Sequence, residues 1–281
     1  LSGKAGSTIS ADAVKIGGGM GNVARKVIEP LDSIDYEYVA SGYPRFTEGA
    51  RYWLQWAGAP DSVYTPSKNV NDYTDDYRCR GLWVNWLTGG SSMLPDRKGL
   101  RIPVDLSFAW HSDAGTTLND SIIGTLGIYC TDGQERGTDY ANGTSRYASR
   151  DFTDLVMTNI TNDIRRTFEP NWTRRGMWDQ SYYEARVPEV PAMLLELLSH
   201  QNFADMKYGL DPEFRFVVSR AVYKGMLQFL ASRDGYDYVV QPLPVHDIAV
   251  TPAGKDGRYA LTWAATVDTL EATATPTYYN I

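Results

Sequence analysis

The chain of 281 residues has only two cysteines, Cys79 and Cys130, and only three histidines, His111, His200 and His246. The cysteines have no CxxC spacing, which excludes a zinc knuckle and a thiol redox motif. They are expected to be two separate buried thiols, with a single disulfide as the alternative for an exported protein. No apolar run approaches the roughly 20 residues that span a bilayer, so no transmembrane helix is expected. Basic residues are outnumbered, 27 Lys and Arg against 34 Asp and Glu, for a net charge of −7. No basic cluster occurs, and nucleic acid is excluded as an expected partner. The chain does not open on a signal peptide or on Met. What the chain does have is rings, 19 Tyr and 8 Trp, a type that lines sugar and peptide grooves as well as cores.

The periodicities predict helices and strands in alternation, hence an α/β layer fold with a mainly parallel sheet. Helices are expected at 48–58 (EGARYWLQWAG), stopped by Gly58 and Pro60, and at 75–87, with Tyr77, Leu82, Trp83 and Trp86 on its inward face. A third covers 145–168, where Leu155, Val156, Ile160 and Ile164 recur at helical spacing. A fourth starts at Asp211-Pro212 and ends near Gly235. Strands are expected at 7–16, 63–64, 104–110, 122–130 and 190–197. Residues 17–21 read as a structural glycine loop, 23–44 as a connector and 174–186 as a polar, aromatic loop. After Asp237 the helical period vanishes. Short strands at 247–251, 259–264 and 276–281, with Trp263 buried, suggest the start of a β-sandwich.

The stretch around which the rest is organised is PVDLSFAWHSDAG, 103–115. It places His111 and Asp113 at a strand's carboxyl end, where open α/β sheets bind ligands. A histidine there is a metal-ligand candidate, or it merely bonds a neighbour. Glu196 stands among Met193, Leu194, Leu195, Leu197 and Leu198. A glutamate so placed needs a cation, a metal or a proton. It is either a general base or a rim carboxylate paired with Arg174 or Arg175. Glu48 opens a helix, where the dipole favours an anion. His200, four residues after Glu196, suits a supporting or loop-capping role, and His246 a structural one. One His and carboxylates from separate elements match hydrolytic zinc chemistry.

These segments resemble the zinc-dependent N-acetylmuramoyl-L-alanine amidases of the amidase_3 family. PVDLSFAWHSDAG resembles their second histidine motif, and VPAMLLELLSHQNFADM with the helix after it their carboxyl-terminal motif. The run from Glu48 to Asn85 resembles their ligand-bearing helix and the arginine-bearing helix that follows. The resemblance covers about residues 45–233, in the family's motif order. It implies Glu48 and His111 as zinc ligands and Glu196 as the catalytic base, with Asp113, Arg80, Arg174 and His200 toward the substrate. The family's first zinc-binding histidine has no counterpart before His111 and is expected upstream of Leu1. The wording is similar to Bacteroidetes proteins labelled xanthan lyase-like or amidase-like, which are exported, so an extracellular or periplasmic place is implied. ISADAVKIGGGMG resembles the tail of a golvesin-type β domain, and the last 40 residues the first part of a fibronectin type III domain. The implied division is 1–22 (end of an inserted β domain), 23–237 (catalytic α/β domain) and 238–281 (start of the sandwich).

The expected activity is zinc-dependent hydrolysis of the N-acetylmuramoyl-L-alanine amide of peptidoglycan. Two other readings remain open. One is a polysaccharide lyase drawing on Tyr182, Tyr183, Arg174 and Arg175. The other is a non-catalytic wall- or glycan-binding protein on an amidase scaffold.

Overall fold

The computed structural model describes residues 49–281 apart from Asn69 and Lys255. The strand at 7–16, the glycine loop, the connector 23–44 and Glu48 all lie outside the described residues.

Seven helices and six strands follow one another among the described residues: α1 (Ala50–Trp56), α2 (Asp61–Tyr64), α3 (Asp72–Thr88), β1 (Ser107–Asp113), β2 (Thr125–Tyr129), α4 (Tyr147–Thr167), β3 (Arg174–Asp179), α5 (Tyr183–Arg186), β4 (Ala192–Ser199), α6 (Phe203–Gly209), α7 (Pro212–Asp234), β5 (His246–Pro252) and β6 (Tyr259–Ala264). Four strands form one sheet in the order β1-β4-β2-β3. Bonds at both ends of β1 and β4, Ser107 N–H to Pro191 C=O at 2.8 Å and His200 N–H to Asp113 C=O at 2.9 Å, run that pair parallel. Thr125 N–H to Thr173 C=O and Gln180 N–H to Tyr129 C=O, both 2.9 Å, do the same for β2 and β3. At the central join Thr125, which opens β2, donates its hydroxyl to the carbonyl of Leu197 near the end of β4, at 2.7 Å. The two parallel pairs therefore run in opposite directions, and the sheet is mostly rather than wholly parallel.

By residue contacts the chain divides into two units. The first holds residues up to Ala109, 128–150 and 179–194. Its apolar core joins Leu54, Ala59, Val63, Tyr64 and Cys79. Asn71 caps α3, accepting from the Thr74 N–H at 2.9 Å. Beside the apolar contact of Cys79, α3 buries three polar side chains, Asp75, Asn85 and Thr88. Of the expected inward face, Leu82 and Trp86 are partly buried and pack against this core, whereas Trp83 is exposed. Two of the polar side chains have distant groups to satisfy. Asn85 donates to Val187 C=O and accepts from Glu189 N–H, both at 2.8 Å, and so fixes the segment that feeds β4. Asp75 takes the buried Arg51 guanidinium at 3.4 Å. Residues 63–64 are the end of a helical turn, not a strand. Pro60 precedes that turn, Asp61 opens it, and Thr65 hydroxyl closes back on Asp61 C=O at 2.6 Å.

The second unit holds 110–127, 151–178 and 195–281. The stripe expected on α4 is buried at Val156, Ile160 and Ile164, joined by Phe152 and Met157. Each such side chain contributes about 1.5–3 kcal/mol by leaving water. On α7 the matching face is Phe214, Val218, Ala221, Val222 and Phe229. Gly225 lets the two helices meet closely, because a Cβ there would come to 2.7 Å of Val156 Cα. Asp211 caps α7, Pro212 opens it, and Gly235 ends it in the left-handed region at φ 72°. The 174–186 segment is not a loop: Arg174–Asp179 joins the sheet as β3 and Tyr183–Arg186 makes a helical turn. Its strand was hidden because RRGMWD lacks apolar alternation. β5 and β6 pair antiparallel, from His246 opposite Ala264 to Pro252 opposite Tyr259. The third expected strand, 276–281, is not formed. Trp263 is half-buried and meets the Tyr279 ring edge-on at 5.2 Å. No helix among the described residues is long and apolar enough to cross a membrane.

Candidate functional site

In the second unit the carboxyl ends of β1 and β4 lie beside the amino ends of β2 and β3. The strand that carries His111 reaches further than expected. His111, Ser112 and Asp113 are its last residues rather than a turn after it. The His200–Asp113 bond sets the level of the two strands and places His111 within one residue of Glu196 across the β1–β4 pair. Glu196 is the one residue of β4 that is only partly buried; the seven others are buried. The alternative partners for its carboxylate are engaged elsewhere. Arg174 bonds Asp154 at 2.6 Å, and Arg175 bonds Asp113 at 2.5 Å.

Asp113 is thus an ion-paired strand end. Partial burial works to raise its carboxyl. The Arg175 bond, the Ala114 N–H at 2.7 Å and the Arg175 charge outweigh burial and hold it below the usual carboxylate range. His200 Nδ1 lies 3.1 Å from the Ser112 hydroxyl, which fixes the ring over the end of β1. His111, Ser112 and His200 line a cavity of about 730 Å³, whose walls are Trp110, Leu197, Leu198, Met206 and Phe214. Arg174, at the start of β3, points to α4 through Asp154. Arg80 belongs to the first unit. It bonds Asp76 at 2.7 Å and Glu184 at 3.3 Å. Burial opposes its charge, but those two acids raise its pKa. His246 opens β5, exposed, with Nδ1 3.0 Å from Asp247.

The sequence reading missed the residue that holds this corner together. Asp205 is fully buried. Its carboxylate accepts three backbone N–H groups: Ile123 at 2.9 Å, Gly124 at 3.2 Å and Ser199 at 2.8 Å. The start of β2, the end of β4 and helix α6 are thereby tied to one side chain. A signal was available. Asn202 and Asp205 have the spacing of a capping box, and Asn202 Oδ1 does accept the Asp205 N–H at 3.0 Å. Beneath this corner Trp172 Nε1 donates to the Thr125 hydroxyl at 2.9 Å, and the Trp172 ring packs against Tyr208 and Phe214.

In structure the chain is similar to N-acetylmuramoyl-L-alanine amidases. The CwlD amidase from Clostridioides difficile, solved with the GerS lipoprotein, shares 15% identity over 60% of this chain and 66% of its own, with a TM-score of 0.39. An N-acetylmuramoyl-L-alanine amidase from Clostridium difficile shares 17% over 46% of this chain and 60% of its own, with a TM-score of 0.36. Another from Nostoc punctiforme shares 17% over 47% and 61%, with a TM-score of 0.35. The chain thus spans about three fifths of the length of the latter two. No family model matches the chain. No curated protein matches it.

Among the described residues no group of three or more His, Cys, Asp and Glu side chains gathers as a metal set. His111 and Glu196 are two donors on neighbouring strands, and Glu48 lies outside the described residues. The described donors therefore fall short of the three protein ligands that a catalytic zinc takes.

Proposed function

We propose that the chain is an amide hydrolase acting on the N-acetylmuramoyl-L-alanine bond of peptidoglycan outside the cytoplasm, with residues 23–237 as its catalytic domain. The reading rests on the resemblance of its motifs, in order, to the amidase_3 family. The observation that carries it is that His111 and Glu196 stand on adjacent parallel strands, within one residue of the same level. Zinc dependence with Glu48 and His111 as ligands belongs to the same reading. The described donors do not complete a zinc set, and the chain's own groups supply the proton transfer and the shielding.

Glu196 is the general base. Its carboxylate takes a proton from the attacking water and hands it to the amine that leaves. The leucines on either side of it, buried at 0–6% exposure, keep bulk water from the reacting atoms. His111 faces the cavity that receives the amide. The Arg175–Asp113 pair and Asp205 hold the backbone around both groups in one geometry.

The deciding experiment is Glu196→Ala in the full-length protein, with release of new amino termini from purified peptidoglycan as the readout. A loss of about 10²- to 10⁴-fold is expected. Undiminished cleavage ends the proposal. The same digest is expected to give no absorbance from an unsaturated uronic acid, the product a lyase would leave.

A further inference from the structure

The cavity beside His111 has an uneven chemistry. Its walls are apolar, and its polar groups are Ser112, Ser219, His111, His200 and Arg215. Among the described residues no carboxylate lines it, in a protein whose acids outnumber its bases by 34 to 27. Asp113 is close by in sequence, but its charge is taken up by Arg175. Arg215 sits in the first turns of α7, exposed. Its backbone N–H returns to Asp211 and its carbonyl accepts the Ser219 hydroxyl. Its guanidinium, by contrast, enters none of the ion pairs and side-chain bonds that engage Arg174, Arg175 and Arg220 in the same unit.

We infer that this cavity binds the peptide side of the substrate, and that Arg215 selects a peptide that carries a carboxylate. The inference deepens the proposed function and rests on it for the place of the scissile amide. The recognition itself stands on the cavity alone. Leu198, Met206 and Phe214 take the apolar part of such a ligand. The Arg215 fork takes its carboxylate by paired N–H bonds, a geometry a lysine ammonium does not reproduce. The described lining itself sets no carboxylate against the anion. Volume is sufficient, since about 730 Å³ falls within the range of cavities that hold small ligands.

The test uses two uncleaved probes and the full-length protein. Isothermal titration compares N-acetyl-alanyl-glutamate with its doubly amidated form, which has the same shape and no charge. The wild-type protein is expected to bind the acidic probe about tenfold more tightly, the effect of one charge-assisted pair at a partly exposed site. Arg215→Gln, a change on an exposed helix face, removes the preference and leaves the amidated probe within about twofold. Arg215→Lys recovers part of it. On peptidoglycan, Arg215→Gln raises KM with kcat nearly unchanged. Equal binding of the two probes, a preference that survives Arg215→Gln, or no binding of either probe overturns the inference. Failure of the wild-type protein to cleave, with the binding preference intact, counts against the proposed function and not against the role of Arg215.

Discussion

Two glutamates seven residues apart, Glu189 and Glu196, look alike in the sequence and live differently in the structure. Both stand in the same apolar run leading into and through β4. Glu189, in the first unit, is 7% exposed and is the more buried of the two. Its carboxylate meets Arg136 at 3.2 Å and Arg146 at 3.4 Å, and its N–H is held by Asn85. Arg146 is itself buried, with its guanidinium 4.4 Å from the Tyr140 ring and one nitrogen on Arg186 C=O. Glu196, in the second unit, is partly buried in the interior strand β4, within one residue of the level of His111, and its neighbours Leu197 and Leu198 line the cavity. The comparison teaches that burial by itself does not mark a reactive carboxylate. Glu189 is locked by opposite charges and holds the fold. Glu196 is the less buried of the two.

Swapping charge for amide at each position breaks or sharpens that contrast. Glu189→Gln is expected to cost about 3–5 kcal/mol, because Arg146 keeps its buried charge and loses its acid. Glu196→Gln is expected to change stability by less than about 1 kcal/mol while abolishing cleavage. Urea denaturation followed by fluorescence, run beside the cleavage assay, decides it. A large stability loss at Glu196 with a small one at Glu189 would invert the assignment.

Asp205 gives the next effect in size. Asp205→Ala orphans three buried N–H donors and is expected to cost about 2–4 kcal/mol. Cleavage should fall as well, since the ends of β2 and β4 lose their common tie. A variant with unchanged melting temperature would show that this corner is held by something else.

Arg175→Gln tests the electrostatics of the edge. In the folded protein the Asp113 carboxyl is held low, so its contribution to stability is present above the carboxylate's ordinary range and is lost as pH falls through the folded value. The variant should let that carboxyl rise, and should narrow the stability difference between neutral and acidic solution. A carboxyl titration by NMR reads the shift directly, and an unmoved Asp113 would contradict the pairing.

The smallest effects concern the thiols. Burial pushes Cys79 up to about 12, with the nearby Asp76 adding to it, and burial also raises Cys130. At pH 8 neither should react with iodoacetamide on the timescale of a free thiol, until denaturant is added. Rapid labelling of Cys79 in the native protein would show that the α1–α3 core opens.

The elements that bury an apolar stripe or run were legible in the sequence: α4, α7, β2 and β4. The capped and glycine-ended limits of α7 were legible too, because a proline, an aspartate and a glycine act locally. Elements whose cause lies elsewhere in the chain were hidden. β3 pairs through its backbone, and its side chains are charged or mixed. α3 buries Asp75 and Asn85 beside its apolar contacts because both have distant partners. At the site, His111 and Glu196 stood out as rare polar groups beside apolar runs. The pairing of Arg175 with Asp113, across 62 positions, left no local trace, and neither did the three amides gathered by Asp205.

That gathering has a kinetic corollary. Amide protons of Ile123, Gly124 and Ser199 share a single acceptor group, so release of any one requires the same side chain to swing away. Their exchange with deuterated solvent should proceed at one common rate, set by excursions of α6, and all three should accelerate together when Asn202 can no longer seat the first turn of that helix.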